Sequence, residues 1–154
     1  MRKIIDGSVI HAGTLNGNPL CLAASRWCLD EVIARGDLHP WEIVALGSTL
    51  IHGLREMADR HGIPLRPQGA GLVFHTAMLK PGADDGLIRD YRDYVRRHDA
   101  PRWAHLRLCL LEEGVRVIER GLWFVSLAHR ESDIMEALRR AEPAFARHAR
   151  EWQA

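Results

Sequence analysis

The chain has 154 residues, of which 47% are hydrophobic and 27% are charged, and its formal net charge is +1. These values are ordinary for one soluble globular domain with a buried core. A charge so close to zero gives no electrostatic reason to expect binding to nucleic acid or to a membrane surface. No apolar run approaches the ~20 residues of a membrane span, and the N-terminal residues lack the apolar core of a signal peptide. We therefore expect a cytoplasmic protein.

Hydrophobic periodicity predicts three long helices. The first covers 18–35, with Asn18 as its N-cap and Pro19 at the first helical position, where no amide proton is needed. The second covers about 40–61 and the third 131–150, because apolar residues recur in both at helical spacing. A glycine follows each of the first two helices and is expected to end it.

Between the second and the third helix the hydrophobic period changes. Two short strands are predicted within 63–77, separated by a glycine-rich break at 69–71. One or two helices are predicted over 87–113, with a new start at Pro101, and a second pair of strands over 115–128. The order of elements favours an α+β fold with a small, mostly antiparallel sheet covered by helices.

The cysteines and histidines give no pattern typical of a disulfide framework or a metal site. Cys21, Cys28 and Cys109 form neither a CxxC motif nor an even set. The first two lie seven residues apart on one helical face, where we expect small buried thiols. The nine histidines include no pair spaced three or four apart, so the helical two-histidine zinc signature is missing. The sequence thus predicts no metal.

The loop before the first helix, "HAGTLNGNP" at residues 11–19, is unusually rich in glycine and asparagine. Gly13, Thr14 and Gly17 give it unshielded backbone amides and a hydroxyl, which is the kind of surface that holds a phosphate or another anion. The same residue types are also typical of a turn followed by a helix cap. Residue types alone leave both interpretations open.

Three segments occur in an order that resembles a known family. They are "HAGTLNGNPLCLAAS" at 11–25, "GIPLRPQGAGLVFHT" at 62–76 and "LLEEGVRVIERGLWFVSLAHRESDI" at 110–134. Together they resemble the C-terminal part of class III aminotransferases, the pyridoxal-phosphate (PLP) enzymes of fold type I that include glutamate-1-semialdehyde aminomutase. The resemblance implies that 1–35 is a phosphate-binding loop and helix linking to a large domain, and that 36–154 is the small C-terminal domain.

The resemblance also implies a cofactor and partners. Gly13 and Thr14 match the Gly-Thr pair that, in this family, reaches across the dimer to the phosphate of the neighbouring subunit's PLP. The implied partners are the large domain or a second subunit of the same enzyme, as a homodimer, and a small amino-acid or amine substrate. Since the loop and helix then lie against other parts of the enzyme, we expect residues 1–30 to be poorly packed in the isolated chain, with Leu15 and its neighbours Leu20 and Leu22 exposed.

The Schiff-base lysine of the family is expected to lie outside this sequence. The resemblance places that lysine, and the aspartate that pairs with the pyridine nitrogen, upstream of the Gly-Thr loop. Lys3 and Lys80, the two lysines present, lack the family's context for that role. We therefore expect a C-terminal piece of a longer enzyme that contains no catalytic residue and is inactive alone.

Other matched positions carry structural expectations or departures. Ser126, His129 and Asp133 match the closing strand-to-helix junction, where turn and cap roles are favoured. Gln68 stands where transaminases for diamines and ω-amino acids usually carry an arginine. Glu119 lies near the position of a glutamate typical of the aminomutase branch.

Three functions are compatible with the sequence. The first is amino-group transfer between an amino acid or amine and a keto acid, with this chain supplying the small domain and the phosphate loop. The second is an aminomutase that moves the amino group within one substrate. The third is a non-catalytic α/β module that uses the same surfaces only for association.

Overall fold

A computed structural model describes residues 13, 15, 17–36 and 39–152, and within them the chain forms five helices and three strands. In chain order these are α1 (Pro19–Arg35), α2 (His39–Arg60), β1 (Leu65–Gly69), β2 (Val73–Met78), α3 (Tyr91–Arg97), α4 (Ala100–Glu112), β3 (Leu122–Phe124) and α5 (Glu131–Trp152). They belong to two compact units, with the boundary between residues 39 and 40. The α+β prediction is confirmed.

The first unit contains α1, most of whose apolar side chains are exposed. Leu15, Leu20 and Leu22 are 64%, 79% and 57% exposed, which confirms the prediction for these residues. The expectation of buried thiols on this helix is wrong, because Cys21 is half-buried and Cys28 is exposed. Spacing placed the two cysteines on one face, but that face of α1 is not packed into a core.

The sheet in the second unit is antiparallel, with the strand order β1-β2-β3. Leu65 pairs with Met78 in the β1–β2 hairpin, which confirms the strand pair predicted within 63–77. Val73 pairs with Phe124 across β2 and β3. The short third strand therefore extends the hairpin on the β2 side.

The second predicted strand pair, over 115–128, is wrong in its first half. Only β3 forms there, and residues 115–118 have no regular structure. The N–H of Val115 donates to the carbonyl of Leu110 at 2.8 Å, which ends α4, and the side chains of Val115 and Val117 are buried. Val115 and Val117 point into the core and alternate with exposed residues. A period of two therefore arises here from burial of every second side chain, without a partner strand.

The segment predicted as one or two helices forms two, each with an aspartate cap. The Asp90 carboxylate accepts from the N–H of Asp93 at 2.8 Å and starts α3. The Asp99 carboxylate accepts from the N–H of Arg102 at 3.1 Å and starts α4. Pro101 lies in the first turn of α4, where its missing N–H costs no helical hydrogen bond.

The core of the second unit lies between the sheet and helices α2, α4 and α5. Phe74 and Trp123 stack across β2 and β3, with ring centroids 5.6 Å apart. The most deeply buried side chains from the three helices include Leu54, Leu106 and Phe145, each 0% exposed. Among the residues that the structure describes, none of the helices combines the length and apolarity that crossing a membrane requires.

Candidate functional site

The predicted phosphate loop is described only in part. Gly13 is exposed and lies outside regular structure, whereas Thr14 lies outside the described residues. Gly17 adopts a φ of 78°, a left-handed conformation that glycine accommodates without steric cost. The N–H of Asn18 donates to the carbonyl of Leu15 at 3.2 Å, which closes a turn before the helix.

Asn18 is the N-cap of α1, as predicted. Its Oδ1 accepts from the N–H of Leu20 at 3.0 Å and from the N–H of Cys21 at 3.2 Å, and Pro19 follows as the first helical residue. These bonds satisfy two of the amides that a helix N-terminus leaves free. Donors for an anion at this end of the chain must therefore come from the loop rather than from the first turn of the helix.

An Asn18→Ala substitution is expected to destabilise α1 by about 1 kcal/mol, because it removes the side-chain acceptor of those two amides. Hydrogen exchange measures this locally, through the protection of the Leu22 amide, which donates to the Asn18 carbonyl at 2.9 Å. Asn18→Ser keeps a capping oxygen and should retain most of the protection. Equal protection in wild type and in Asn18→Ala would show that the cap contributes nothing.

A cavity of about 590 Å³ opens on the second unit beside the β1–β2 hairpin. Aromatic and polar side chains form much of its lining, namely Gln68, His75, Arg89, Tyr91, Tyr94 and Arg120. A concave surface with a few convergent polar groups is the usual form of a small-molecule site. This cavity is therefore a candidate binding surface of the unit.

The side chain of Gln68, which stands where the resemblance places an arginine in transaminases for diamines and ω-amino acids, is already engaged. Its Nε2 donates to the carbonyl of Ile88 at 2.9 Å, and its Oε1 accepts from the N–H of the same residue at 2.9 Å. This paired contact joins β1 to the segment before α3. The side-chain amide thus shapes the cavity wall and has little capacity left for a ligand.

Arg97 holds the residues that directly precede Ile88. Its guanidinium pairs with Asp93 at 2.8 Å and donates to the carbonyls of Asp84, Gly86 and Leu87, the last two at 2.6 and 3.2 Å. Arg97 is buried, with 5% of its surface exposed. The Arg97 guanidinium therefore binds three carbonyls of a segment without regular structure. This role was not predicted from the sequence. The Asp93–Arg97 spacing of four on a helix is the only signal that pointed to it.

His75 and Tyr94 form the aromatic part of the cavity wall. Their ring centroids are 5.1 Å apart in an edge-to-face arrangement. Burial lowers the pKa of His75, against a smaller raising effect of the hydrogen bond with the Arg120 backbone. Burial also raises the pKa of Tyr94, helped by Tyr91. Both groups are therefore neutral near pH 7.

His75 is expected to titrate below 6.5, the ordinary histidine pKa, because protonation would place a charge in a partly desolvated site. The unfolded chain then takes up a proton at a higher pH than the folded chain does, so this group makes folding less favourable as the pH falls below 6.5. NMR titration of the His75 ring protons measures the midpoint. A midpoint for His75 at or above 6.5 would contradict the account.

The closing junction has the structural roles expected of it. The N–H of Ser126 donates to Nδ1 of His129 at 3.1 Å, so this nitrogen is an acceptor. The Asp133 carboxylate accepts from the N–H of Arg130 at 2.8 Å at the start of α5. Turn and cap contacts thus account for these side chains.

Glu119 and Lys80, two further residues singled out by the sequence, each make a hydrogen bond with a helical residue. The carbonyl of Glu119 accepts from Trp103 Nε1 at 2.7 Å, and its side chain is exposed. Lys80 donates through Nζ to the carbonyl of Arg96 at 3.0 Å. Lys80 is the only lysine among the described residues, and it lies in an exposed turn away from the cavity lining.

Comparison with known proteins gives sequence and fold relatives, although no family model matches the chain. It is 32% identical over 144 residues to a glutamate-1-semialdehyde 2,1-aminomutase of Chloroflexus aggregans, covering 91% of this chain and 32% of that protein. A transaminase solved with PLP bound superposes with a TM-score of 0.72 at 20% identity, over 96% of this chain and 31% of that one. An omega-transaminase from Sphaerobacter thermophilus gives a TM-score of 0.67 at 19% identity, over 92% and 31%.

The chain thus spans about a third of the length of these relatives. The sequence match covers nearly all of this chain, and the fold matches agree with it in extent. By sequence and by fold, the chain is therefore like the C-terminal part of a class III aminotransferase.

Proposed function

We propose that this chain supplies the small C-terminal domain and the phosphate-binding loop of a PLP-dependent class III aminotransferase. The observation that carries the proposal is the 32% identity to an aminomutase over 91% of the chain, combined with the transaminase fold. The reaction of the assembled enzyme is amino-group transfer between an amino acid or amine and a keto acid. PLP supplies the electron-sink chemistry when it is bound.

Within this chain, Gly13 and Thr14 would hold the cofactor phosphate. A glycine amide and a threonine hydroxyl are both donors, as a phosphate dianion requires. Asn18 already accepts from the first-turn amides of Leu20 and Cys21. The donors to the phosphate would therefore come from the loop before the helix. The donor chemistry of the loop therefore fits the phosphate.

The Schiff-base lysine would come from the large domain. Lys80 is engaged with the Arg96 carbonyl in an exposed turn, which does not suit an anchored cofactor. The partner is thus the large domain and, by the family's dimer arrangement, a second subunit. The cavity lined by Gln68 and His75 would then belong to the surface of the small domain in the assembled enzyme.

An aminomutase is the second candidate function, because the curated relative carries that name. Both candidates need the same loop and the same cofactor. They are distinguished by product analysis of the assembled enzyme: a transaminase passes the amino group to an added keto acid, whereas an aminomutase returns an isomer of its one substrate.

Thr14→Ala is expected to weaken PLP binding about tenfold to a hundredfold in an enzyme reassembled from this chain and a large-domain fragment. The substitution removes one charge-assisted hydrogen bond, worth about 1.5–3 kcal/mol. PLP titration measures the dissociation constant. Thr14→Ser keeps the hydroxyl and should bind like wild type, and Thr49→Ala removes an exposed threonine hydroxyl from α2 as a matched control. Equal dissociation constants for wild type and Thr14→Ala would remove Thr14 from the phosphate site.

A further inference from the structure

Helices α4 and α5 bring three metal-ligating side chains together away from the cavity. His105 and Cys109 lie one turn apart on α4, and Glu151 lies in the last turn of α5. One ligand atom from each lies within 4.8 Å of the other two. Nε2 of His105 is 3.2 Å from a carboxylate oxygen of Glu151, and Nδ1 of the same ring is 3.8 Å from Cys109 Sγ.

The separation of 3.2 Å between Nε2 of His105 and the Glu151 oxygen is close to that around a single metal ion, whereas the 3.8 Å contact of Cys109 Sγ is with the other ring nitrogen, Nδ1. A tetrahedral zinc ion binds nitrogen and oxygen at about 2.0–2.2 Å and sulfur at about 2.3 Å, which places neighbouring ligand atoms about 3.3–3.7 Å apart. Nε2 of His105 and the Glu151 oxygen are thus already spaced for one ion, and Cys109 Sγ would join them through a side-chain rotation that moves it from the Nδ1 side of the ring towards Nε2. A thiolate with an imidazole favours zinc or a similar transition metal over Mg²⁺ or Ca²⁺, which prefer oxygen ligands.

A buried second histidine orients His105. His148 is 0% exposed, and its Nδ1 lies 2.9 Å from Nδ1 of His105. When His105 donates its Nδ1 proton to His148, the lone pair of its Nε2 faces the Glu151 carboxylate, and a cation between them relieves the repulsion. A ligating histidine that donates its other N–H to a neighbour is the usual arrangement at metal sites.

The sulfur also has a supporting contact. Arg147 Nε lies 3.4 Å from Cys109 Sγ and donates to it, and Arg147 pairs with Glu112 at 2.5 Å. Arg147 thus places a hydrogen-bond donor against the sulfur, and Glu112 balances the arginine charge. Cys109 is 2% exposed, so this thiol is shielded from bulk solvent on most sides.

We propose that His105, Cys109 and Glu151 form a binding site for one divalent transition-metal ion of the zinc type, with a fourth position left for water. The ion would join the C-terminal turn of α5 to α4. The sequence rule for paired histidines misses this site because its ligands are of three kinds and one of them comes from a distant helix.

Calorimetric titration of the chelator-treated full chain with Zn²⁺ is expected to show one ion bound per chain. Glu151→Gln, Cys109→Ser and His105→Gln should each weaken binding at least about tenfold. Cobalt(II) should give a sulfur-to-metal charge-transfer band in the near ultraviolet that disappears in Cys109→Ser. Glu151 is exposed, so Glu151→Gln tests the site without disturbing the core.

Two exposed residues provide matched controls. Cys28→Ser removes a thiol from α1, and Glu131→Gln removes a carboxylate from the first turn of α5. Both should bind zinc like wild type. The proposal is overturned when wild type binds no zinc, when Glu151→Gln and Cys109→Ser both bind like wild type, or when Cys28→Ser abolishes the cobalt band. If wild type binds no zinc, Nε2 of His105 carries the ring proton and donates it to Glu151 instead.

Discussion

Arg97→Met is expected to lower the free energy of unfolding by about 3 kcal/mol, because it removes a buried cation together with its charge-assisted hydrogen bonds. The guanidinium of Arg97 is the common donor to Asp93 and to the carbonyls of Asp84, Gly86 and Leu87. Methionine can fill much of the space of the arginine stem, but it provides no donor for these oxygens. Urea unfolding followed by tryptophan fluorescence measures the change.

Arg96→Met is the matched control. Arg96 pairs with the same Asp93 at 2.8 Å, but its side chain is 78% exposed, so its loss should cost less than about 1 kcal/mol. Hydrogen exchange should show reduced protection of residues 84–88 in Arg97→Met alone. Equal losses of stability in the two variants would mean that the buried contacts of Arg97 do not hold the segment 84–87.

Gly47→Ala is expected to lower the free energy of unfolding by at least about 2 kcal/mol, although alanine is the better helix former by about 1 kcal/mol. Gly47 lies in α2, and a Cβ there would come within 2.0 Å of the Gly71 carbonyl oxygen and 2.4 Å of its carbon. Both are backbone atoms of the β1–β2 turn, so the helix and the hairpin must separate. Helix propensity and packing thus predict opposite signs.

Gly82→Ala separates the clash from backbone strain. Gly82 has a φ of 73°, and an added Cβ would meet no atom within 4 Å, so its cost is conformational strain of about 1–2 kcal/mol. Thermal and urea unfolding of both variants measure the difference. A Gly47→Ala protein more stable than wild type would contradict the close approach of α2 to the turn.

Local signals in the sequence were enough to place most helices and the hairpin. Asn18 and Pro19 marked the start of α1, and Pro101 marked a new helix after α3, because these residues act through their own backbone or side chain. The turn between β1 and β2 followed from its glycines. Such features need no knowledge of distant contacts.

Features that depend on distant contacts were not predictable in the same way. Val115 and Val117 alternate as in a strand, but whether a partner strand exists is decided elsewhere in the chain. Cys28 was expected to be buried because of its helical spacing from Cys21, but it is exposed. Spacing along a helix shows which residues share a face, and it does not show whether another element packs against that face. Gln68 and Arg97 take their roles from backbone oxygens of a loop that has no periodic pattern.

The measurement that most directly tests the central claim is PLP retention and amino transfer by this chain, alone and mixed with a large-domain fragment that carries the Schiff-base lysine. The chain alone should bind no PLP covalently, since neither Lys3 nor Lys80 matches the sequence context that the resemblance gives for the Schiff-base lysine. The mixture should retain PLP through gel filtration and transfer an amino group to a keto acid, and Thr14→Ala in the mixture should weaken that retention. A covalent PLP adduct at Lys3 or Lys80 of the isolated chain at low micromolar PLP, or a mixture that assembles without retaining PLP, would contradict the account.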